Sequence, residues 1–341
     1  MLGIELTPEQ PVERLGDLAV RAEDAGFETV FVSHHYNNRD EFVALADIAR
    51  RTESVRLGPG ITNPYETHPV TLASRAATID EFSDGRAVFG IGPGDSSTLG
   101  NLGYDHDGAL RRVLETMQVS RRLWDGERVD HDGAFEAVDA GLNYDARRLP
   151  IYVGAQGPHM TRMAAKHADG ILYNGAHPRD IEWAGERVTE GLAERPDDRG
   201  VPGSTDSKTR QTASDGEFDF GVYASVSLGT DEQAAREAAR PPVAFIASGA
   251  PKPVLERHGL DGERANEIDA AISAGDFTEA FGLVSPEMID AFCIAGTPET
   301  TREQFEAVLS EADSLAMSSP LGPDLETAIE LMGELATDLP V

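Results

Sequence analysis

Two carboxylates close strand-like runs in this chain: Glu5, after Gly3-Ile4, and Asp95, directly after Gly90-Ile91-Gly92-Pro93-Gly94. Carboxylates that are neighbours on one rim raise one another's pKa, and a carboxyl kept protonated at neutral pH is a general acid. Asp95 has a second reading, as the cap of the following helix with Ser96 and Ser97. The pair His34-His35 continues another strand-like run. Successive strand side chains point to opposite faces, so the two cannot chelate a metal together, while one of them should face a site. Four glycine-bearing turns complete the set: Leu57 to Tyr65, Gly90 to Asp95, Gly154 to Pro158, and Asn174-Gly175-Ala176. Glycine lets a backbone take positive φ or approach a ligand closely. The last two turns lead into helices, whose first N–H groups can hold a phosphate without lysine, so Gln156, Gly157, Asn174 and Gly175 together suggest a phosphate cradle. Each turn taken alone also has a purely structural reading.

Other chemistries find no support. The sequence has no phosphate-binding G-x-x-x-x-G-K-[ST], no G-x-S-x-G nucleophile turn and no H-E-x-x-H zinc motif. A lone cysteine, Cys293, excludes an internal disulfide, makes a zinc cage improbable and reads as a small buried apolar residue. The 341 residues carry 60 acidic against 29 basic side chains, a net charge of −31, and only Lys166, Lys208 and Lys252 are lysines. The acids are spread along the chain rather than blocked. That pattern fits a protein adapted to molar salt, where the screening length falls to about 3 Å and surface carboxylates scarcely repel. It argues against nucleic acid, which requires a basic patch. No apolar run reaches the length of a membrane span and the first residues lack an export pattern, so the expectation is a soluble cytoplasmic protein.

The elements that position these residues repeat every thirty residues or so. β-prone runs begin near Gly3, Thr29, Arg56 and Ala87, and again at Ile151, Gly170, Phe218 and Ser314. Helical periods lie between them, as in Val12, Leu15, Leu18, Ala19 and Ala22, with Gly26 in the C-cap region. Eight βα units imply an α/β fold with a parallel sheet closed into a (β/α)8 TIM barrel in a single domain, 1–341. A dinucleotide-binding sheet would want G-x-G-x-x-G after the first strand, where Leu6-Thr7-Pro8-Glu9 stands instead. Residues 195–217, rich in Pro, Asp, Gly, Ser and Thr, read as a flexible surface excursion, and 241–288 as a helical insertion between strands seven and eight. An insertion on the active face of a barrel often forms a substrate wall.

With these pieces in place, the chain resembles the luciferase-like superfamily of flavin- and deazaflavin-dependent barrels, and within it the coenzyme F420-dependent methylenetetrahydromethanopterin reductases. The shared pattern runs through His35-Tyr36-Asn37-Asn38, Leu57 to Tyr65, Asp80 to Arg86, Gly90 to Asp95, Gly154 to Pro158, Val243 to Ile246, Glu256 to Gly259 and Ser319 to Asp324. The resemblance implies a reduced deazaflavin, coenzyme F420, in the barrel mouth, giving a hydride to the methylene group of a tetrahydropterin to leave a methyl group. The carrier would be tetrahydromethanopterin or tetrahydrofolate. It implies Glu5 as proton donor to the departing nitrogen, with Asp95 supporting it or the pterin. It also implies a non-proline cis peptide at Gly60-Ile61 behind the deazaflavin ring. Cofactor contacts would come from His35, Gln156, Gly157, Asn174 and Gly175, and a homo-oligomer, dimer or tetramer, is expected. The alternatives are another F420-dependent dehydrogenase or reductase, an FMN-dependent luciferase-like monooxygenase, and a non-enzymatic cofactor-binding barrel.

Overall fold

A computed structural model describes residues 2–196, 218–337 and 339. In chain order the elements are β1 (Leu2–Glu5), α1 (Val12–Asp24), β2 (Thr29–Val32), α2 (Glu41–Arg51), β3 (Arg56–Pro59), α3 (Pro69–Phe82), β4 (Phe89–Ile91), α4 (Ser96–Asn101) and α5 (Ala109–Trp124). A hairpin, β5 (Val129–Asp132) and β6 (Glu136–Ala140), interrupts the alternation. Then follow β7 (Ile151–Ala155), α6 (Pro158–His167), β8 (Gly170–Asn174), α7 (Pro178–Ala193) and β9 (Asp219–Leu228). The last part comprises α8 (Glu232–Gly249), α9 (Lys252–His258), α10 (Gly262–Ser273), α11 (Phe277–Leu283), α12 (Pro286–Phe292), β10 (Ile294–Gly296), α13 (Pro298–Leu309), β11 (Ser314–Leu321) and α14 (Leu325–Thr337).

Parallel pairing runs β3-β2-β1-β11-β9-β8-β7-β4, and two bridges, Leu57 to Ala87 and Thr62 to Ile91, join β3 to β4. These eight strands form the expected (β/α)8 barrel. Outward side chains such as Leu2, Ile4, Val30, Ile91, Val153 and Val222 join the main core under the surrounding helices. Inside, the usual layers of branched residues are replaced by aromatics set against glycines. Phe31, Val88, Tyr152, Leu172 and Ala316 fill the interior, with Ile61 and Tyr223 packed on them. A Cβ on Gly3 would lie 3.3 Å from the Phe31 ring, and one on Gly170 only 2.4 Å from Tyr152, so small strand residues make room for large rings.

The insertion has its own apolar core. Val243, Ala247, Ile268, Met288 and Phe292 pack together, with Cys293 buried among them and its thiol pushed up to about 12 by that burial. Its first helix, α8, begins at Glu232 and runs through Pro241 and Pro242, so the helical segment starts before the expected boundary at 241. The excursion at 195–217 lies outside the described residues apart from Arg195 and Pro196. Arg195 stacks on Phe218 at 5.3 Å, so the residues on either side of that segment meet beside the start of β9, opposite the barrel mouth.

Candidate active site at the barrel mouth

The mouth is built on an irregularity between β3 and β4. From Leu57 to Thr62 the chain takes five steps, while from Ala87 to Ile91 it takes four, because the two pairs bracket one extra residue on the β3 side. Such a bulge re-aims a side chain, here Ile61, which turns over the open ends of β4 and β7. A Cβ on Gly92 would fall 2.1 Å from Ile61 Cδ1, and one on Gly154 3.0 Å from Ile61 Cγ2. Gly90 is tighter still, since its Cβ would lie 1.9 Å from the Pro59 carbonyl oxygen. The peptide bonds Gly60-Ile61 and Ser319-Pro320 are both cis. Tyr223 on β9 donates its hydroxyl to the Gly60 carbonyl at 2.9 Å, tying the bulge to the far side of the barrel. The result is a glycine-lined mouth with Ile61 packed across its glycines.

Beside the bulge lies Glu5, 2% exposed. Its Oε1 meets Ser33 Oγ at 2.7 Å, and its Oε2 accepts from Thr7 Oγ1 and from the Ser319 N–H, each at 3.2 Å. Burial raises its pKa, outweighing the hydrogen bonds from Ser33, Ser319 and Thr7 that favour the carboxylate. The acid form is therefore stabilised by burial. A neighbouring carboxylate, the cause the sequence suggested, plays no such part: Asp95 is exposed, and its Oδ1 accepts from the Thr98 N–H at 3.1 Å as the cap of α4. Tyr223 shares the pocket, its phenol driven well up by burial and by the charge of Glu5.

The two histidines divide as strand alternation requires. His34 turns away into a charged network, with Nδ1 2.8 Å from Glu41 Oε2 and Nε2 3.1 Å from Glu66 Oε1. Glu41 in turn accepts from Thr62 Oγ1 at 3.0 Å, and Glu66 from Asn63 Nδ2 at 2.9 Å. Burial alone would discharge the ring, but the hydrogen bond and charge of Glu41, with those of Glu66, push it up to about 9. A protonated His34 thus clasps the residues that follow the bulge. His35 stands half-buried, its pKa lowered by burial and by the charge of His34 against the pull of Asp95.

Gln156, Asn174 and Gly175 line one cleft, whose opposite wall is Ile246, Val254 and Phe292 from the insertion and the segment after it. Gly157 caps α6 nearby, and a Cβ there would meet only open space. The insertion is fixed at this edge by Asp180 on α7. Asp180 pairs with Arg257, accepts from His258 Nε2 at 2.7 Å, and is held low by these bonds against its burial. Arg257 also lies 4.5 Å over the Trp183 ring. The stretch Glu256 to Gly259 therefore docks the wall. The residues named from sequence all reach the same barrel end; Ser319 stood in the shared pattern without a role, and Ser33, Thr7 and Tyr223 were missed. Of these, Ser33 left a trace, directly after β2 and two residues beyond the inward Phe31.

A family model described as luciferase-like monooxygenase matches residues 2–313. The chain belongs to the luciferase-like family. It is 39% identical to a 5,10-methylenetetrahydromethanopterin reductase of Archaeoglobus fulgidus over 97% of both chains. A protein of the same name from Methanopyrus kandleri is 38% identical over 97% of this chain and 96% of its own. The solved coenzyme F420-dependent tetrahydromethanopterin reductase of Methanopyrus kandleri superposes with a TM-score of 0.85 at 37% identity, covering 98% of this chain and 97% of that one. An F420-dependent secondary alcohol dehydrogenase, at a TM-score of 0.78 and 18% identity, shares the fold.

Proposed function

We propose that this luciferase-like barrel is a coenzyme F420-dependent reductase that converts the methylene group of a methylenetetrahydropterin into a methyl group. The names and full-length similarity of its relatives support that activity and favour tetrahydromethanopterin as the carrier. The observation that carries the reading in this chain is Glu5, a buried carboxyl beside a glycine-lined mouth with its acid form favoured. Bound reduced F420 supplies the hydride, and the protein must then orient the two partners and deliver one proton. Gly92 and Gly154 make room for the Ile61 side chain, which would support a tricyclic ring with His35 at its edge. Gln156, Gly157, Asn174 and Gly175 would hold the phosphate end, which suits a chain with few lysines. Asp95 would support Glu5 or the pterin from the rim. We further propose a homo-oligomer working in concentrated salt.

The test is anaerobic absorbance of the purified protein in molar KCl with reduced F420, adding methylenetetrahydromethanopterin and methylenetetrahydrofolate to separate samples. Reoxidation with the first supports the reading, and reoxidation with the second alone moves the carrier to folate. Silence with both, despite F420 binding, would remove the reductase assignment. Glu5→Gln should retain F420 binding and lose turnover by at least about a hundredfold, the ordinary contribution of a general acid.

A further inference from the structure

Glu5 is almost wholly enclosed, so its proton must leave through a neighbour. The two carboxyl oxygens are not equivalent. Oε2 receives the Ser319 N–H, and the Ser33 N–H also donates to this carboxyl. The Thr7 hydroxyl shares that oxygen at 3.2 Å. Oε1 faces the Ser33 hydroxyl at 2.7 Å, the shorter of the two side-chain contacts at this carboxyl and one in which the partner can donate or accept. A proton on Oε1 has the Ser33 hydroxyl within direct hydrogen-bond reach. Ser33 is only half-buried and continues β2 into the mouth, with His34 turned away to Glu41 and Glu66.

We infer that Ser33 is the residue through which Glu5 exchanges its proton with the barrel mouth. This rests on the proposed role of Glu5 as the acid. In the reductive direction, the Glu5 Oε1–H bond breaks as an O–H bond forms on Ser33 Oγ. The proton Ser33 already carried passes to the departing nitrogen, which keeps the electron pair of its broken bond to carbon. The carbon takes up the two electrons of the hydride that bound reduced F420 would supply. Glu5 is left as a carboxylate, accepts again from the Ser33 hydroxyl, and regains a proton from water. Tyr223 is a titratable group that feels the charge of this carboxyl, and its hydroxyl is committed to the Gly60 carbonyl.

Three variants test this: Ser33→Ala, Ser33→Thr and Glu5→Gln. Turnover at saturating substrates, F420 affinity by fluorescence, and the protonated-carboxyl infrared band of the unliganded protein against pH are measured on each. Ser33→Ala should lower kcat about a hundredfold and leave F420 affinity within about twofold. The Glu5 band, identified as the one absent from Glu5→Gln, should persist to higher pH because its carboxylate has lost a donor. Ser33→Thr, which keeps a hydroxyl, should recover most of the turnover. Normal turnover in Ser33→Ala, or an equal loss in Ser33→Thr, overturns the relay. The underlying assignment fails separately: an active Glu5→Gln refutes Glu5 as the acid, whereas an inactive Glu5→Gln beside an active Ser33→Ala refutes the relay alone.

Discussion

Raising the pH through the His34 titration should loosen the segment that carries the bulge. The ring is 17% exposed, sits between Glu41 and Glu66, and holds its proton to a pKa of about 9 against 6.5 for an ordinary histidine. A folded-state pKa above the unfolded one means that the native protein binds the extra proton between those values. The stabilisation is complete below 6.5, declines by about 1.4 kcal/mol per pH unit, and is gone above 9. Two and a half units amount to about 3 kcal/mol. Urea unfolding in molar KCl at several pH values, for the wild type and His34→Gln, isolates this contribution, because other titrations cancel in the difference. That difference should be largest at acid pH and shrink by about 3 kcal/mol on passing pH 9. Since this network is part-buried, added salt should change the slope less than it changes the repulsion among surface carboxylates. Parallel pH profiles for the two proteins, or a His34 ring that titrates near its ordinary value by NMR, would refute the reasoning.

Two glycines and one arginine give further tests. Gly90→Ala sets a Cβ 1.9 Å from a backbone oxygen and should destabilise by about 1–3 kcal/mol or more, whereas Gly92→Ala strikes the tip of Ile61 and should weaken F420 binding with a smaller loss of stability. Melting temperature and fluorescence titration separate the two, and the reverse order would contradict the account of the bulge. Arg86, whose guanidinium donates to the Ala49, Thr52 and Val55 carbonyls at 2.7–3.1 Å, stands at the opposite end of the barrel. Arg86→Met should cost about 3 kcal/mol of stability by stranding those carbonyls, and residual folded enzyme should keep its F420 affinity; a specific loss of affinity would place Arg86 in the site.

The barrel was legible because each of its strands is an apolar run between helical periods, a signal that survives in a single sequence. The hairpin β5–β6 was not. Its strands carry Asp130, His131, Asp132, Glu136 and Asp139, and of their residues Val129 and Ala137 alone are buried, too few to show a strand period. β10 is three residues long, too short for a pattern to register. In the site, Glu5 could be named from its place at the end of β1. The groups that set its chemistry could not, since Ser319 lies 314 residues away and meets it only when β11 closes beside β1. Likewise the charge on His34 depends on Glu41 and Glu66, which arrive from two different segments.

Sequence motifs that look equivalent in the chain therefore do different work, and the end of the barrel each one reaches decides which. Asp80 to Arg86 turns beneath β4, with Asp84 and Gly85 at positive φ, and there Asp80 pairs with Arg147 while Arg86 closes the floor. Glu256 to Gly259 anchors a wall to α7. Leu57 to Tyr65, Gly90 to Asp95 and Ser319 to Asp324 converge on the mouth, where barrels place their chemistry. Substitutions in the first group should act through folding, those in the second through the cleft, and those in the third that face the mouth, Gly92 among them, through binding and proton transfer. The spacing that suggested a site becomes an argument about mechanism only when each stretch is assigned to its end.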